Sequence, residues 1–299
     1  MKPRFSPFQL VAFMIFFTLF AAVSCKKETS LDGSETEQEI SASKVTSESD
    51  AQSEIVFNRV FDDAMGVDDT VGMAGIGVFG TASSCPNVTV IHLTANQFPI
   101  KVILDFGANG CVGADGHLRK GRIITEYTNR LINPGAIATT LFDGFYFDGT
   151  KVEGIHKITN ISNPLNTNPV IRKFEIKVEN GKLSYPSGDY VSWNSTKIIT
   201  QFEGGATIAI PHDDAFKVEG NAYGTAKKGN LLVTWQSTII EPLIKRFNCR
   251  WIVKGAVRTT RPNIAVNSPW VAILNFGNGN CDNQAVVTIN GVSTQITLP

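Results

Sequence analysis

Residues 285–298 read AVVTINGVSTQITL, and this segment predicts a β-hairpin. Its centre, Asn290-Gly291, favours a two-residue turn, because both central residues of such a turn need a positive φ. Apolar side chains recur at every second position on either side of the turn, as in strands with one buried face. Before the turn they are Ala285, Val287 and Ile289; after it Val292, Ile296 and Leu298 continue this face, with Thr294 between Val292 and Ile296.

The same two-residue period runs through most of the chain from about residue 85 onward. One clear strand places Phe174, Ile176 and Val178 on a single face. Further turn dipeptides stand at Asp148-Gly149 and Asn180-Gly181. We therefore expect an all-β fold, an antiparallel β-sandwich or open barrel of roughly a dozen short strands.

Two pairs of similar segments indicate a possible internal duplication. ILDFGANGC occupies residues 103–111 and ILNFGNGNC occupies residues 273–281. Between them the tetrapeptide KVEG occurs twice, at Lys151–Gly154 and Lys217–Gly220. Two related β-halves would explain both repeats.

Four cysteines accompany the longer repeat, and four cysteines allow three disulfide pairings. Cys85 and Cys249 each open a strand, whereas Cys111 and Cys281 each close the repeated segment. A duplicated unit would form the same bond twice. We therefore predict the disulfides Cys85–Cys111 and Cys249–Cys281, which form in an oxidising compartment.

The N-terminus has the features of an export signal. Lys2 and Arg4 precede the uncharged stretch Leu10–Val23, which is shorter than the roughly 20 residues of a membrane span. Residues 22–25 read AVSC, similar to the site at which bacteria attach lipid to cysteine, although Ala22 replaces the usual leucine. Lipidation would consume Cys25 and leave an even number of thiols. Cleavage by the ordinary signal peptidase and an uncleaved anchor are the alternatives.

The segment after Cys25 is rich in Ser, Thr and acidic residues. Such a composition buries too little apolar surface to offset the ordering entropy of the chain. We expect a signal peptide over residues 1–24, a lipidated disordered tether over 25–54 and a β-rich domain over 55–299.

One short helix is predicted over residues 53–66, at the start of this domain. Val56, Val60 and Ala64 form an apolar stripe at helical spacing. Ser53 is the expected N-cap and Gly66 the expected end. The opposite face is expected to be polar, with Asn58, Arg59, Asp62 and Asp63.

Several segments together resemble a family of uncharacterised lipoproteins from Bacteroidota. They read SCKK at 24–27, ILDFGANGC at 103–111, RKGRIITEYT at 119–128, NCRWIVKGAV at 248–257 and ILNFGNGNCDNQAVVTINGVSTQITL at 273–298. The resemblance implies a β-rich domain and a lipid anchor in the outer membrane, facing the periplasm or the outside. It implies no catalytic residues.

The sequence contains no motif that is specific for catalysis or for metal binding. The histidines are not spaced as metal ligands, and no nucleophile elbow or phosphate-binding loop is present. The acids before glycine, as at Asp115-Gly116, are simpler to interpret as turns. We therefore predict no catalytic residue, metal or cofactor. The formal net charge of +0 argues against nucleic-acid binding. The four histidines are His92, His117, His156 and His212.

Aromatic residues give the better indication of binding. Tyr185, Tyr190 and Trp193 lie in YPSGDYVSW, and aromatic side chains in loops anchor sugars or protein partners. The alternative is that they close one end of the β-domain. Asp69-Thr70-Val71 resembles a short acceptor for O-glycosylation, which makes Thr70 a candidate for modification.

The sequence thus predicts a lipid-anchored envelope protein with a non-catalytic structural or interaction role, and with an envelope protein or glycan as partner. A surface glycan-binding lipoprotein of a sugar-uptake system is the first alternative. A hydrolase is the second, and it would need two carboxylates flanking a cleft.

Overall fold

The structure is a computed structural model that describes residues 30–66, 85–113, 116–164, 171–207, 213–262 and 264–298. Within these residues it contains one helix, α1 (Ser30–Gly66), followed by fourteen strands. The strands are β1 (Asn87–His92), β2 (Ile100–Asp105), β3 (Cys111–Val112), β4 (Leu118–Tyr127), β5 (Ile137–Phe147), β6 (Thr150–Asn160), β7 (Lys173–Ser184), β8 (Tyr190–Glu203), β9 (Ala215–Lys228), β10 (Leu231–Arg246), β11 (Ile252–Thr260), β12 (Ala272–Asn278), β13 (Gln284–Ile289) and β14 (Val292–Thr297).

All strands belong to one antiparallel sheet, and the predicted all-β class is confirmed. Neighbours in the sheet follow chain order from β1 to β14, except that the short β3 pairs only with β4. Within the described residues β1 and β14 each have a single neighbour, so the sheet is open. The sheet is thus one continuous meander, and its strand order shows no division into two halves.

The helix is much longer than predicted. It begins at Ser30 instead of residue 53, and Ser53 lies in its interior, where its hydroxyl donates to the carbonyl of Ser49. The prediction that Gly66 ends the helix is confirmed. The disordered tether predicted for residues 25–54 is therefore wrong from Ser30 onward, and residues 25–29 lie outside the described part. From Ile40 on, α1 belongs to the same compact unit as the sheet.

From Ile40 onward, α1 packs against strands of the sheet. The ring of Phe57 stacks on Trp193 of β8 with centroids 5.4 Å apart. Phe61 makes edge contacts with Phe174 of β7 and Phe216 of β9, both at 6.1 Å. Three strands thus contact these two rings, and the consecutive residues Arg59, Val60, Phe61 and Asp62 are all buried, so this part of the helix is enclosed on more than one side.

Polar residues of α1 are buried because the strands supply their partners. The indoles of Trp193 and Trp235 both donate to Asp50 Oδ1, at 2.8 and 3.1 Å. Lys197 Nζ lies 2.9 Å from Glu54 Oε2. Composition alone made this segment look solvated, but buried charges are tolerated when they are paired in this way.

A second buried ion pair lies near the end of the helix. Lys245 Nζ of β10 donates to Asp62 Oδ2 at 2.7 Å, and both side chains are 3% exposed. The face that was expected to be polar and solvated is therefore buried at Asp62, and Arg59 is also buried.

Glycines inside strands let the sheet curve. The repeated KVEG tetrapeptides end at Gly154 and Gly220, which have φ values of 120° and 138°. A Cβ at these positions would lie 2.7 Å from Gly181 Cα and 2.3 Å from Thr196 O, respectively. The repeat thus marks equivalent bends in β6 and β9, where only glycine permits the close approach of the neighbouring strand.

Two of the three predicted turns are confirmed. Asp148-Gly149 joins β5 to β6 and Asn290-Gly291 joins β13 to β14, with positive φ at all four residues. Asn180-Gly181 is not a turn but lies inside β7, where the register with β8 shifts between Val178 and Gly181. A bulge of this kind bends the strand, and here it bends β7 around the helix.

Both predicted disulfides are confirmed, at Cys85–Cys111 and Cys249–Cys281. Each bond spans a pair of antiparallel strands: one cysteine precedes the first strand and the other follows the second strand. The strands are β1 and β2 in the first case and β11 and β12 in the second. The sequence repeat therefore corresponds to a repeated local arrangement, a hairpin with a disulfide across its open end.

Candidate functional site

The three aromatic residues of YPSGDYVSW have different positions. Trp193 is buried against α1, so its predicted role as a surface binding residue is wrong. Tyr190 starts β8, and Lys182 Nζ lies 5.4 Å from the centre of its ring. Tyr185 precedes the turn between β7 and β8 and is half-buried. Of the three, Tyr185 lines the recess described next, whereas Trp193 lines a small cavity beside the helix.

This recess, which we call the Tyr185 recess, has a volume of about 210 Å³. One wall is α1 and the other is formed by the β7–β8 turn and the ends of β8 and β9. The side chains around it are polar or charged with a small apolar floor: Val45, Glu48, Ser49, Gln52, Tyr185, Ser187, Asp189, Val191, Ala226, Lys227 and Lys228.

Tyr185 is held in place by the helix. Its hydroxyl donates to Gln52 Oε1 at 2.8 Å. Burial, with a smaller contribution from the charge of Asp189, raises the pKa of Tyr185 to about 12. The phenol therefore stays neutral at physiological pH, and its ring is presented in one orientation.

Asp189 is fixed on the opposite side by backbone groups. The amide of Gly229 donates to Asp189 Oδ1 at 2.8 Å, and this bond is the main cause that lowers the pKa of Asp189. The backbone carbonyl of Asp189 accepts from the amide of Tyr185 at 3.0 Å, which closes the turn. Asp189 is thus an ionised acceptor on a short, hydrogen-bonded turn.

The charges around the recess balance. Glu48 and Asp189 carry two negative charges, and Lys227 and Lys228 carry two positive charges. The ion pair between Lys228 Nζ and Glu48 Oε2 is long, at 3.8 Å. These groups therefore keep hydrogen-bonding capacity for a ligand, and the absence of a net charge favours a neutral polar ligand.

A second polar cavity lies beside the helix and was not foreseen from the sequence. His156 is fully buried and stacks on Phe57 with centroids 6.4 Å apart. Within the described residues neither ring nitrogen of His156 has a hydrogen-bond partner, and neither does Ser195 Oγ. Both residues line a cavity of about 10 Å³, roughly the space that one water molecule needs. Burial lowers the pKa of His156 to about 3.

The other predicted residues fall into two groups. Cys25, Thr70 and His212 lie outside the described residues. In the described part, His92 is exposed and His117 bonds to Asp148. Over the same part, no group of three or more His, Cys, Asp or Glu side chains is placed to hold a metal ion.

Helices that could span a membrane are not found among the described residues. Comparison of the chain with protein-family models, with curated proteins and with solved structures finds no match. The resemblance to lipoproteins of Bacteroidota therefore stays a prediction.

Proposed function

We propose that the chain is a lipid-anchored protein of the bacterial outer membrane with a non-catalytic interaction role, and that it binds its ligand in the Tyr185 recess. The observation that carries the proposal is the recess itself. It combines a fixed aromatic ring, an ionised acceptor and flexible lysines around a concave surface. Placed polar groups and an aromatic ring are the features that fix the orientation of a ligand in protein sites, and here they surround a small apolar floor.

The interior of the sheet supports a surface role. α1 fills the space that an internal ligand would occupy, and large side chains such as Phe61 and Trp235 are almost completely buried there. The cavity at His156 has room for about one water molecule. A ligand larger than water is therefore expected at the surface.

A glycan is the second, more specific candidate for the ligand. The recess of about 210 Å³ is smaller than the roughly 300–1,000 Å³ of pockets for drug-sized molecules, so it fits one ring. A sugar ring has an apolar face that packs on an aromatic side chain and hydroxyls that bond to carboxylates, amides and lysines. Tyr185, Asp189, Gln52 and Lys227 offer these groups.

The carboxylates of the recess favour binding over glycoside hydrolysis. A glycosidase needs one carboxyl group whose raised pKa lets it donate a proton. Asp189 has a lowered pKa because the Gly229 amide stabilises its charge. It is suited to accept hydrogen bonds from a ligand, which supports the non-catalytic proposal.

Mutation of Tyr185 tests the ligand site. We expect Tyr185→Ala to weaken the binding of a monosaccharide by about fivefold, because an aromatic contact contributes on the order of 1 kcal/mol. Tyr185→Phe keeps the ring and should retain most of the affinity. Titrations of a panel of common hexoses and N-acetylhexosamines, followed by NMR, measure both variants.

A matched control is Tyr223→Ala, since Tyr223 is 57% exposed on β9 and does not line the recess. It should bind like the wild type. Sugar binding that Tyr185→Ala leaves unchanged would contradict the proposed site, and a panel without any binder would refute the glycan as its ligand.

The anchor is tested separately by Cys25→Ser. The variant lacks the thiol that receives the lipid and is expected to move from the membrane pellet to the soluble fraction, because acyl chains supply most of the affinity for the bilayer. Fractionation after a high-salt wash measures the distribution. If the variant stays in the pellet, Cys25 is not the anchor.

A further inference from the structure

Among the described residues, the first strand of the sheet has one edge without a neighbouring strand. In the described part of the chain β1 pairs with β2 alone, and all six of its residues are exposed. Its backbone N–H and C=O groups on the outer side are therefore available to another strand. Val88, Val90 and Ile91 are 44%, 37% and 41% exposed.

This edge lacks the features that usually prevent strand pairing. Proteins protect free edges with charged side chains, prolines or bulges. β1 reads NVTVIH, without proline, lysine, arginine or an acid, and its register with β2 is continuous. The disulfide Cys85–Cys111 fixes the chain just before β1, which reduces the entropy that a partner strand would have to remove.

The absence of charged side chains on β1 restricts the sequence of the strand that can pair with it. A strand added to β1 places its own side chains beside Val88 and Val90, where a charged residue would lose hydration without gaining a counter-charge. The partner strand must therefore be uncharged and apolar at alternate positions. β1 itself has this pattern.

We propose that β1 of one molecule pairs antiparallel with β1 of a second copy. Two-fold symmetry about an axis through Thr89 places Val88 opposite Val90 of the second copy, and Val90 opposite Val88. These valines extend the face that carries Val102 and Leu104 on β2, so apolar pairs continue across the contact. The contact closes on itself and gives a dimer.

The other free edge supplies the natural comparison. β14 reads VSTQIT and is also uncharged, but Thr294 interrupts the apolar row between Val292 and Ile296. A contact between β1 and β14 would join unlike surfaces and would add further copies unless it closed into a ring. Assembly through β1 and β14 would therefore give particles heavier than a dimer.

Light scattering on the mature chain with Cys25→Ser tests the proposal. We expect twice the mass of one chain at high concentration and a return to one chain on dilution. Val90→Lys should give a single chain at every concentration, and Val292→Lys on β14 should leave the dimer intact. A wild type that is a single chain throughout, or a dimer that only Val292→Lys disrupts, would overturn the proposal.

Cross-linking gives a second readout that does not depend on destabilising the contact. With Thr89 on the symmetry axis, Thr89→Cys should form a disulfide between two copies under mild oxidation. Ile91→Cys should not, because each Ile91 lies opposite Asn87 of the second copy. Cross-linking by Ile91→Cys alone would contradict the proposed pairing.

Discussion

Replacing Lys245 with methionine is expected to lower the free energy of unfolding by about 3–5 kcal/mol, the usual cost of leaving one member of a buried ion pair unpaired. Lys245 Nζ donates to Asp62 Oδ2, and both side chains are 3% exposed. Methionine fills the space of the lysine chain but removes the cation that donates to the buried carboxylate of Asp62, which leaves Arg59 and Arg119 as the cations that act on it. Urea denaturation monitored by circular dichroism measures the change.

Removing Asp62, the other member of the ion pair, together with Lys245 gives the control for this prediction. Because the charge itself causes the loss, the double variant Asp62→Leu with Lys245→Met should recover most of the stability. Lys177→Met removes a surface pair with Glu175, whose side chains are 40% and 31% exposed, and should cost less than about 1 kcal/mol. A loss in the Lys245→Met variant no larger than in Lys177→Met would contradict the buried pair.

Proton uptake should moderate the effect of Lys245→Met. Burial raises the pKa of Asp62 even in the presence of Lys245, which lowers it in part. Without the lysine the carboxyl accepts a proton more easily, so the difference from the wild type should shrink as the pH falls.

Acid is expected to destabilise the protein through His156. Burial lowers the pKa of this histidine from 6.5 to about 3 in the folded state. Between these values the unfolded chain binds the proton and the folded chain does not, so stability is lost as the pH falls. The loss is roughly 1.4 kcal/mol for each pH unit below 6.5, or about 3 kcal/mol by pH 4.

His156→Phe removes this titration and keeps an aromatic ring beside Phe57. The variant should lose less stability than the wild type between pH 6.5 and 4, by the same amount of about 3 kcal/mol. His92→Gln, at an exposed position on β1, is the matched control for replacing a histidine. Parallel stability curves for the wild type and His156→Phe would show that His156 is protonated in the folded state.

Local patterns were sufficient to predict much of the sheet. The alternation of apolar residues, the Asp148-Gly149 and Asn290-Gly291 turns and the two disulfides depend on neighbours in sequence or on a visible repeat. The bends at Gly154 and Gly220 were also visible, since both end a KVEG tetrapeptide, but the repeat alone did not distinguish a bend from a turn.

The length of α1 could not be predicted in this way, because the partners of its polar residues are distant. Asp50 receives hydrogen bonds from indoles 143 and 185 positions away, and Asp62 from a lysine 183 positions away. The Tyr185 recess is equally non-local, with Tyr185 and Gln52 separated by 133 positions. The spacing of Asp50, Glu54 and Asp62 by multiples of four was a signal for one helical face, but composition suggested solvent as its partner.

The Tyr185 recess, the buried ion pairs and the loss of stability in acid all depend on the packing of α1 against the sheet. The decisive quantity is therefore the protection of the α1 backbone amides from hydrogen exchange. Hydrogen exchange followed by mass spectrometry measures that protection for each peptide. The structure predicts that peptides from Val45 to Met65 exchange as slowly as those from the central strands β7 to β9. Exchange of this segment at the rate of an unstructured chain would show that residues 45–65 are a tether after all, and would contradict both the fold and the binding site built on it.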